Sequence, residues 1–230
     1  MNSLLLLNGS PRGPRSNSMK MLTRLADGWE QGGGKAPEAL HLARSADFAR
    51  AVEAFPLAHT VLLGMPLYTD SMPALVKSYI EALAPRTGPR LAGTNPTLAF
   101  LVQSGFPEAL HSRPLERYLA KLTQRLHAPY AGTIVRGLGE ALQATPEEHN
   151  QKLWAQLRIL GEQLARHGRF GEAELRAVAG TERFSPVVAT LLGLTMRLPA
   201  VQFPWNRRLK KNGAWERRFA APYGPAAGAR

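Results

Sequence analysis

The chain has no cysteine among its 230 residues. Disulfides, iron–sulfur clusters, thiolate zinc sites and cysteine nucleophiles are therefore excluded. No apolar run approaches the roughly 18 residues of a membrane-crossing helix. The leucines at 4–7 are too few for the apolar core of a secretory signal, and only Met1-Asn2-Ser3 precede them. A cytoplasmic protein is the expectation. Acids are scarce: 17 Asp and Glu stand against 29 Lys and Arg, a formal charge of +12. Such an excess points to anionic partners, among them nucleotides, nucleic acid and anionic membrane surfaces. Several well-known signatures are also missing. There is no Gly-Lys-Ser/Thr of a Walker loop, no Gly-x-Gly-x-x-Gly spacing and no Gly-x-Ser-x-Gly elbow. The six histidines, His41, His59, His111, His127, His149 and His167, are scattered without metal-ligand spacing, so no metal site is expected.

What is present is a regular alternation. Leu4–Leu7 reads as a strand and Asn17–Gly32 as an amphipathic helix ended by Gly32-Gly33-Gly34. Ala39–Leu42 is a weak second strand, and Ser45 is expected to cap a helix through Ala54 with Phe48, Val52 and Phe55 on one face. Thr60–Met65 is an uninterrupted apolar strand, and Met72–Leu83 a helix with Leu75, Ile80 and Leu83 aligned. Thr97–Val102, Arg113–Leu126 and Gly132–Val135 continue as strand, helix and strand. Thr145-Pro146-Glu147-Glu148 has the form of a helix start, with threonine as the cap and proline at the first position. That helix runs to about His167. Non-alternating apolar strands separated by helices imply a parallel sheet covered on both faces. Five of them, with a ligand-type loop after the first, predict an α/β fold with the doubly wound order 2-1-3-4-5.

Three loops fall at the carboxyl ends of these strands, where such sheets bind ligands. The first is Asn8-Gly9-Ser10-Pro11-Arg12-Gly13-Pro14-Arg15-Ser16-Asn17-Ser18. Ser10, Ser16 and Ser18 offer hydroxyls, Asn17 an amide, Arg12 and Arg15 charged donors, and the following helix its free N–H groups. This is an anion cradle in composition. The second is Met65-Pro66-Leu67-Tyr68-Thr69-Asp70-Ser71-Met72-Pro73, stiffened by two prolines, in which Tyr68 and Met72 offer flat or polarisable contact. The third, Gln103-Ser104-Gly105-Phe106-Pro107-Glu108, has small residues that admit close approach. Phosphate donors, a stiff apolar platform and a small-residue loop together suit a phosphorylated planar cofactor better than a bare phosphate ester.

Gly9-Ser10-Pro11-Arg12 with Ser16-Asn17-Ser18 resembles the phosphate loop of the NADPH-dependent FMN reductases. Pro66-Leu67-Tyr68 with Met72-Pro73-Ala74 and Lys77 resembles the loop beside the isoalloxazine in those enzymes and in the flavodoxin-like NAD(P)H:quinone oxidoreductases. The resemblance covers about residues 1–167. It implies a flavodoxin-like domain that binds FMN, with Ser10, Arg12, Ser16, Asn17 and Ser18 at the phosphate. Pro66, Leu67, Tyr68 and Asp70 would line the ring, and Ser104 and Gly105 its other edge. It further implies an enzyme that passes hydride from NAD(P)H through FMN to a quinone, flavin or similar small acceptor, and a homodimer. No catalytic side chain is assigned, because hydride transfer needs none. Two alternatives stand beside this reading: a flavin-binding electron carrier or redox sensor without catalysis, and a phosphate-ester-binding α/β protein.

A domain over residues 1–180 is expected, with an extension over 181–230. Phe184–Leu198 is mostly apolar. From Pro199 onward there are seven basic residues, Arg207, Arg208, Lys210, Lys211, Arg217, Arg218 and Arg230, against Glu216 alone. The extension is expected to pack on the core or on a second subunit. A peripheral membrane contact fits the same mixture but is not the favoured reading. No nucleic-acid module is recognised.

Overall fold

The computed structural model describes residues 3–83, 95–196 and 198–221. Arg230, counted above among the basic residues, lies outside them. The chain divides into two compact units, Met1–Arg183 and Phe184–Arg230.

In the first unit five parallel strands, β1 (Leu4–Asn8), β2 (Ala39–His41), β3 (Thr60–Pro66), β4 (Thr97–Gln103) and β5 (Tyr130–Arg136), form one sheet in the order β2-β1-β3-β4-β5. Buried positions run without a break along β1 and β3. Side chains of alternate parity leave on opposite faces, so both faces of the sheet are apolar. Leu4, Leu6, Leu62, Leu101 and Ile134 meet α1 (Asn17–Gln31) and α6 (Gln151–His167) on one side. Leu5, Leu7, Leu63, Phe100 and Val102 meet α2 (Ser45–Ala54), α3 (Ala74–Leu83) and α4 (Arg113–Arg125) on the other. This is the flavodoxin-like doubly wound arrangement that the apolar strand runs predict.

The helix α1 lies directly on α6. A Cβ added at Gly28 would stand 1.9 Å from the Arg158 carbonyl oxygen, and one added at Gly161 would stand 2.0 Å from that of Leu25. The two backbones touch at these reciprocal glycines. Around them Trp29, Leu157, Leu160 and Leu164 are buried.

Several boundaries differ from expectation. Ser45 is the first residue of α2 rather than its cap, and Asp47 instead accepts the His41 N–H at 3.0 Å. The third helix starts at Ala74, after Pro73, and its buried face is Val76, Tyr79 and Leu83, with Leu75 and Ile80 half-buried at its margins. Thr145 does not cap α6. It closes the one-turn helix α5 (Ala141–Ala144), and its hydroxyl donates to the Ala141 carbonyl at 2.8 Å. A 3-10 turn over Glu147–Asn150 then leads into α6. An unforeseen short helix, α7 (Glu172–Ala179), packs on β5, where Arg136 Nη1 donates to the Val178 carbonyl at 3.0 Å. Its eight residues are too few for the periodic pattern to stand out.

The second unit holds two helices, α8 (Pro186–Thr195) and α9 (Pro199–Lys211), bent 69° from one another. The apolar segment expected as one helix to Leu198 thus ends at Thr195, and the basic stretch is itself helical. Ser185 caps α8 by accepting the Val188 N–H at 3.4 Å. Among the described residues no single helix is long and apolar enough to cross a membrane.

Candidate functional site

The loop between β1 and α1 is organised by Asn8, whose role the sequence alone does not show. Asn8 ends the leucine run and is wholly buried. Its Nδ2 reaches the Gly13 carbonyl at 2.8 Å, His41 Nδ1 at 3.1 Å and Ser16 Oγ at 3.2 Å, while its Oδ1 accepts the Ser10 N–H at 3.1 Å. One amide thus pins both ends of the loop. Ser16 caps α1, its Oγ accepting the Met19 N–H at 3.1 Å. The Ser10 Oγ accepts the Arg12 N–H at 3.3 Å.

Next to this cap lie Asn17 and Ser18, both buried. Neither polar atom of the Asn17 side chain, nor the Ser18 hydroxyl, has a hydrogen-bond partner. Buried polar groups are nearly always satisfied, and leaving them bare costs about 1–3 kcal/mol each. These three atoms sit in the first turn of α1, where the helix also presents free N–H groups and the positive end of its dipole. As donors there, the Asn17 Nδ2 and the Ser18 hydroxyl are complementary to an oxyanion, whereas the Asn17 Oδ1 can only accept. Arg12 is differently engaged: its Nη1 contacts both Glu140 carboxylate oxygens, at 3.2 and 3.4 Å, with both side chains half-exposed. That pair links the first loop to the segment after β5.

The other two loops share the same sheet edge. Pro66 ends β3, and the Leu67 N–H donates to the Gln103 carbonyl at 2.8 Å. Tyr68 and Ser71 exchange backbone bonds of 2.9 and 3.1 Å around Thr69 (φ 48°) and Asp70 (φ 61°). Two successive positive φ angles make a type I′ turn, a strained setting for a β-branched threonine. The turn holds the Tyr68 ring partly exposed. At the end of β4 the Ser104 Oγ and Gln103 Oε1 are buried and unpartnered. The Ser104 backbone bonds to Arg136 and Gly139 at 3.0 and 2.7 Å. A Cβ at Gly105 would reach Glu140 Cγ at 3.4 Å, so the Glu140 stem lies along this glycine. His111 stacks on Phe106, ring centres 4.3 Å apart, and pairs with Glu108 at 3.5 Å.

The structure therefore brings Ser10, Ser16, Asn17 and Ser18 together in one loop, sets Pro66, Leu67, Tyr68 and Asp70 in a second, and Ser104 with Gly105 in a third. Asn8 and Gln103 went unassigned, yet each carries a legible signal: a lone polar residue closing an apolar strand at the carboxyl edge.

Residues 2–128 match the model of a family described as having the flavodoxin-like fold. The chain belongs to that family. Among solved structures, this flavodoxin-like protein is similar to an FMN-dependent NADH-azoreductase from Bacillus anthracis in complex with FMN, at 15% identity and a TM-score of 0.55, covering 72% of this chain and 100% of that one. It is similar to an NAD(P)H:quinone oxidoreductase from Methanothermobacter marburgensis, at 12% identity and a TM-score of 0.57, covering 73% and 98%. A third is an NADPH-quinone reductase from P. pentosaceus, at 17% identity and a TM-score of 0.52, covering 73% and 99%. At these identities the likeness is one of fold. No curated protein matches the chain.

His41 makes the first loop of this flavodoxin-like domain sensitive to acid. Burial, with Arg44 adding to it, holds its pKa below the usual histidine range, against the smaller opposing effect of Asp47. The neutral ring faces the Asn8 amide through Nδ1. A base whose folded pKa is depressed is protonated first in the unfolded chain. Stability is therefore complete above the ordinary value of about 6.5 and declines as pH falls below it. The apo-protein melting temperature is expected to fall as pH drops below about 6.5, and His41→Gln to flatten that limb. An equal slope in the variant would remove His41 as its source.

Proposed function

We propose that the protein is an FMN-dependent NAD(P)H oxidoreductase of the FMN reductase and quinone reductase type, passing electrons to a quinone, flavin or similar small acceptor. The observation that carries this is the unpartnered Asn17 and Ser18 side chains buried at the α1 N-terminus. They suit a phosphate monoester, and they lie at the sheet edge that also carries Tyr68 and Ser104. The similar azoreductase holds FMN, which supports that ligand, and the two similar quinone reductases support the class of reaction.

Flavin, when bound, supplies the acceptance and release of hydride. In this reading Asn17, Ser18 and Ser10 donate to the phosphate, and Ser16 shapes the loop through the α1 cap. Arg12 joins them by leaving Glu140. Pro66, Leu67, Tyr68 and Asp70 line one side of the ring, Tyr68 shaping the exposed face that nicotinamide and acceptor share. Ser104 and Gly105 bound the other edge, the Ser104 hydroxyl gaining the partner it lacks. No side chain is assigned a proton. The charge of +12 draws in anionic nucleotides. Homodimer formation and a cytoplasmic location, where reduced nicotinamides are found, belong to the same reading.

The test is a titration of the purified chain with FMN, followed by absorbance and fluorescence, and then NAD(P)H oxidation with a quinone. Tight binding and turnover whose KM rises with salt are expected. No FMN binding would leave a phosphate-binding α/β protein. Binding without turnover against a panel of acceptors would leave an electron carrier.

A further inference from the structure

The second unit carries an apolar and basic surface that the flavin reading does not use. From Ser185 to Met196 there is no charged residue, and none of the ten residues of α8 is buried. At about 100° per residue, Val187, Val188, Leu191, Leu192 and Leu194 fall within one side of the helix. Pro186, Ala189, Thr190 and Gly193 take the opposite side. Val187 is 78% exposed and Leu191 60%. At about 15 Å, α8 is far too short to span a bilayer.

The next helix adds charge. On α9, Val201, Trp205 and Leu209 recur every fourth residue and share a face, while Arg207, Lys210 and Lys211 lie round the other side. Phe203 and Trp205 are 63% and 60% exposed. Beyond the helix, Arg218 lies 3.9 Å and Lys210 5.1 Å from the centre of the Trp215 ring. From residue 199 to 221 six basic side chains stand against one acid.

We propose that α8 and α9 dock the protein on the surface of an anionic lipid bilayer, with the large aliphatic face of α8 entering the acyl boundary and the α9 cations on the headgroups. An apolar helix face, exposed Trp and Phe, and clustered Lys and Arg are what an interfacial element needs. Charge complementarity selects the occupant. A protein partner or second copy on the α8 face would need no adjoining cations, and the net charge of +5 over residues 199–221 opposes self-association of this unit. The proposal is independent of the flavin reading.

The experiment is co-sedimentation of the full chain with vesicles of phosphatidylserine and phosphatidylcholine, and with phosphatidylcholine alone. Binding to the anionic vesicles only, reversed by high salt, is expected. Leu191→Asp and, separately, the combined Arg207→Glu, Lys210→Glu and Lys211→Glu should each weaken it about tenfold or more. Their circular dichroism melts should match the parent, since all four side chains are exposed. Tryptophan emission should move to the blue on binding, and Trp205→Phe should lessen that shift. Failure to bind anionic vesicles would overturn the proposal. So would binding that resists both salt and alkaline extraction, which would mean insertion across the bilayer. A dimer in light scattering that Leu191→Asp dissolves, without vesicle binding, would give the surface to a second copy instead.

Discussion

Replacing Asn17 by aspartate should lower FMN affinity by roughly two to three orders of magnitude. The change is nearly isosteric, so the shape of the first turn of α1 is kept. What changes is a negative charge beside the oxyanion that the unpartnered Asn17 amide is proposed to meet. Two unit charges about 4 Å apart repel by about 4 kcal/mol at an effective dielectric of 20, and each 1.4 kcal/mol is a factor of about ten. The apo-protein should change much less. The helix dipole favours an acid at this end, which offsets part of the desolvation of a buried carboxylate. Arg12→Ala provides the contrast: to reach the phosphate its guanidinium must give up the half-exposed Glu140 pair, so the net loss should stay below about tenfold. Equal FMN affinity in parent and Asn17→Asp, measured by fluorescence titration, would disconnect these orphaned atoms from the phosphate.

Gly161→Ala should lower stability by about 2–4 kcal/mol, equivalent to a melting temperature lower by roughly 6–12 °C. Helix propensity argues the other way, favouring alanine by about 1 kcal/mol. Geometry decides. The new methyl would stand 2.0 Å from the Leu25 carbonyl oxygen and 2.9 Å from the Trp29 nitrogen, both backbone atoms that no rotamer can move. The two helices would have to part, opening the layer around Trp29 and Leu157. Gly28→Ala should behave alike from the opposite side, meeting Arg158. Thermal melts of both variants check this, and a melting temperature that stayed level or rose would show that the interface yields cheaply.

These glycines mark where the sequence stopped being readable. Strand order and the two-sided core were legible because β1, β3 and β4 are unbroken apolar runs separated by helical periods. Gly28 and Gly161, by contrast, lie within helical patterns whose periodicity is intact without them. Only the facing helix shows why a side chain is excluded. Capping failed for a related reason. Ser45 and Thr145 each have a capping side chain, but Asp47 bonds back to β2 and Thr145 bonds back within α5. For Thr145 this is a local competition between backbone partners, which residue type alone does not decide; at Ser45 the helix begins one position earlier than the cap residue suggests.

The candidate site was legible in its loops and obscure in its wiring. Ser10, Asn17 and Ser18 stand out as small polar residues after a strand. The Asn8 network depends on His41, 33 residues away, and the Arg12 pair on Glu140, 128 residues away. The left-handed turn at Thr69 and Asp70 was hidden because neither is glycine, and the Tyr68–Ser71 pairing has to hold it.

The position of β1 also shapes how the chain folds as it is made. Its neighbours in the sheet, β2 and β3, lie downstream, and the helix that meets α1 glycine to glycine begins only at Gln151. A ribosome adding about 5–20 residues per second leaves the leucine strand without its full complement for roughly 7 to 30 seconds. Until α6 emerges, the part of that sheet face that α1 does not cover stays wet and adhesive. Chaperone dependence should therefore be concentrated in that interval, and a nascent chain halted before Gln151 should be more prone to aggregate than one halted after His167.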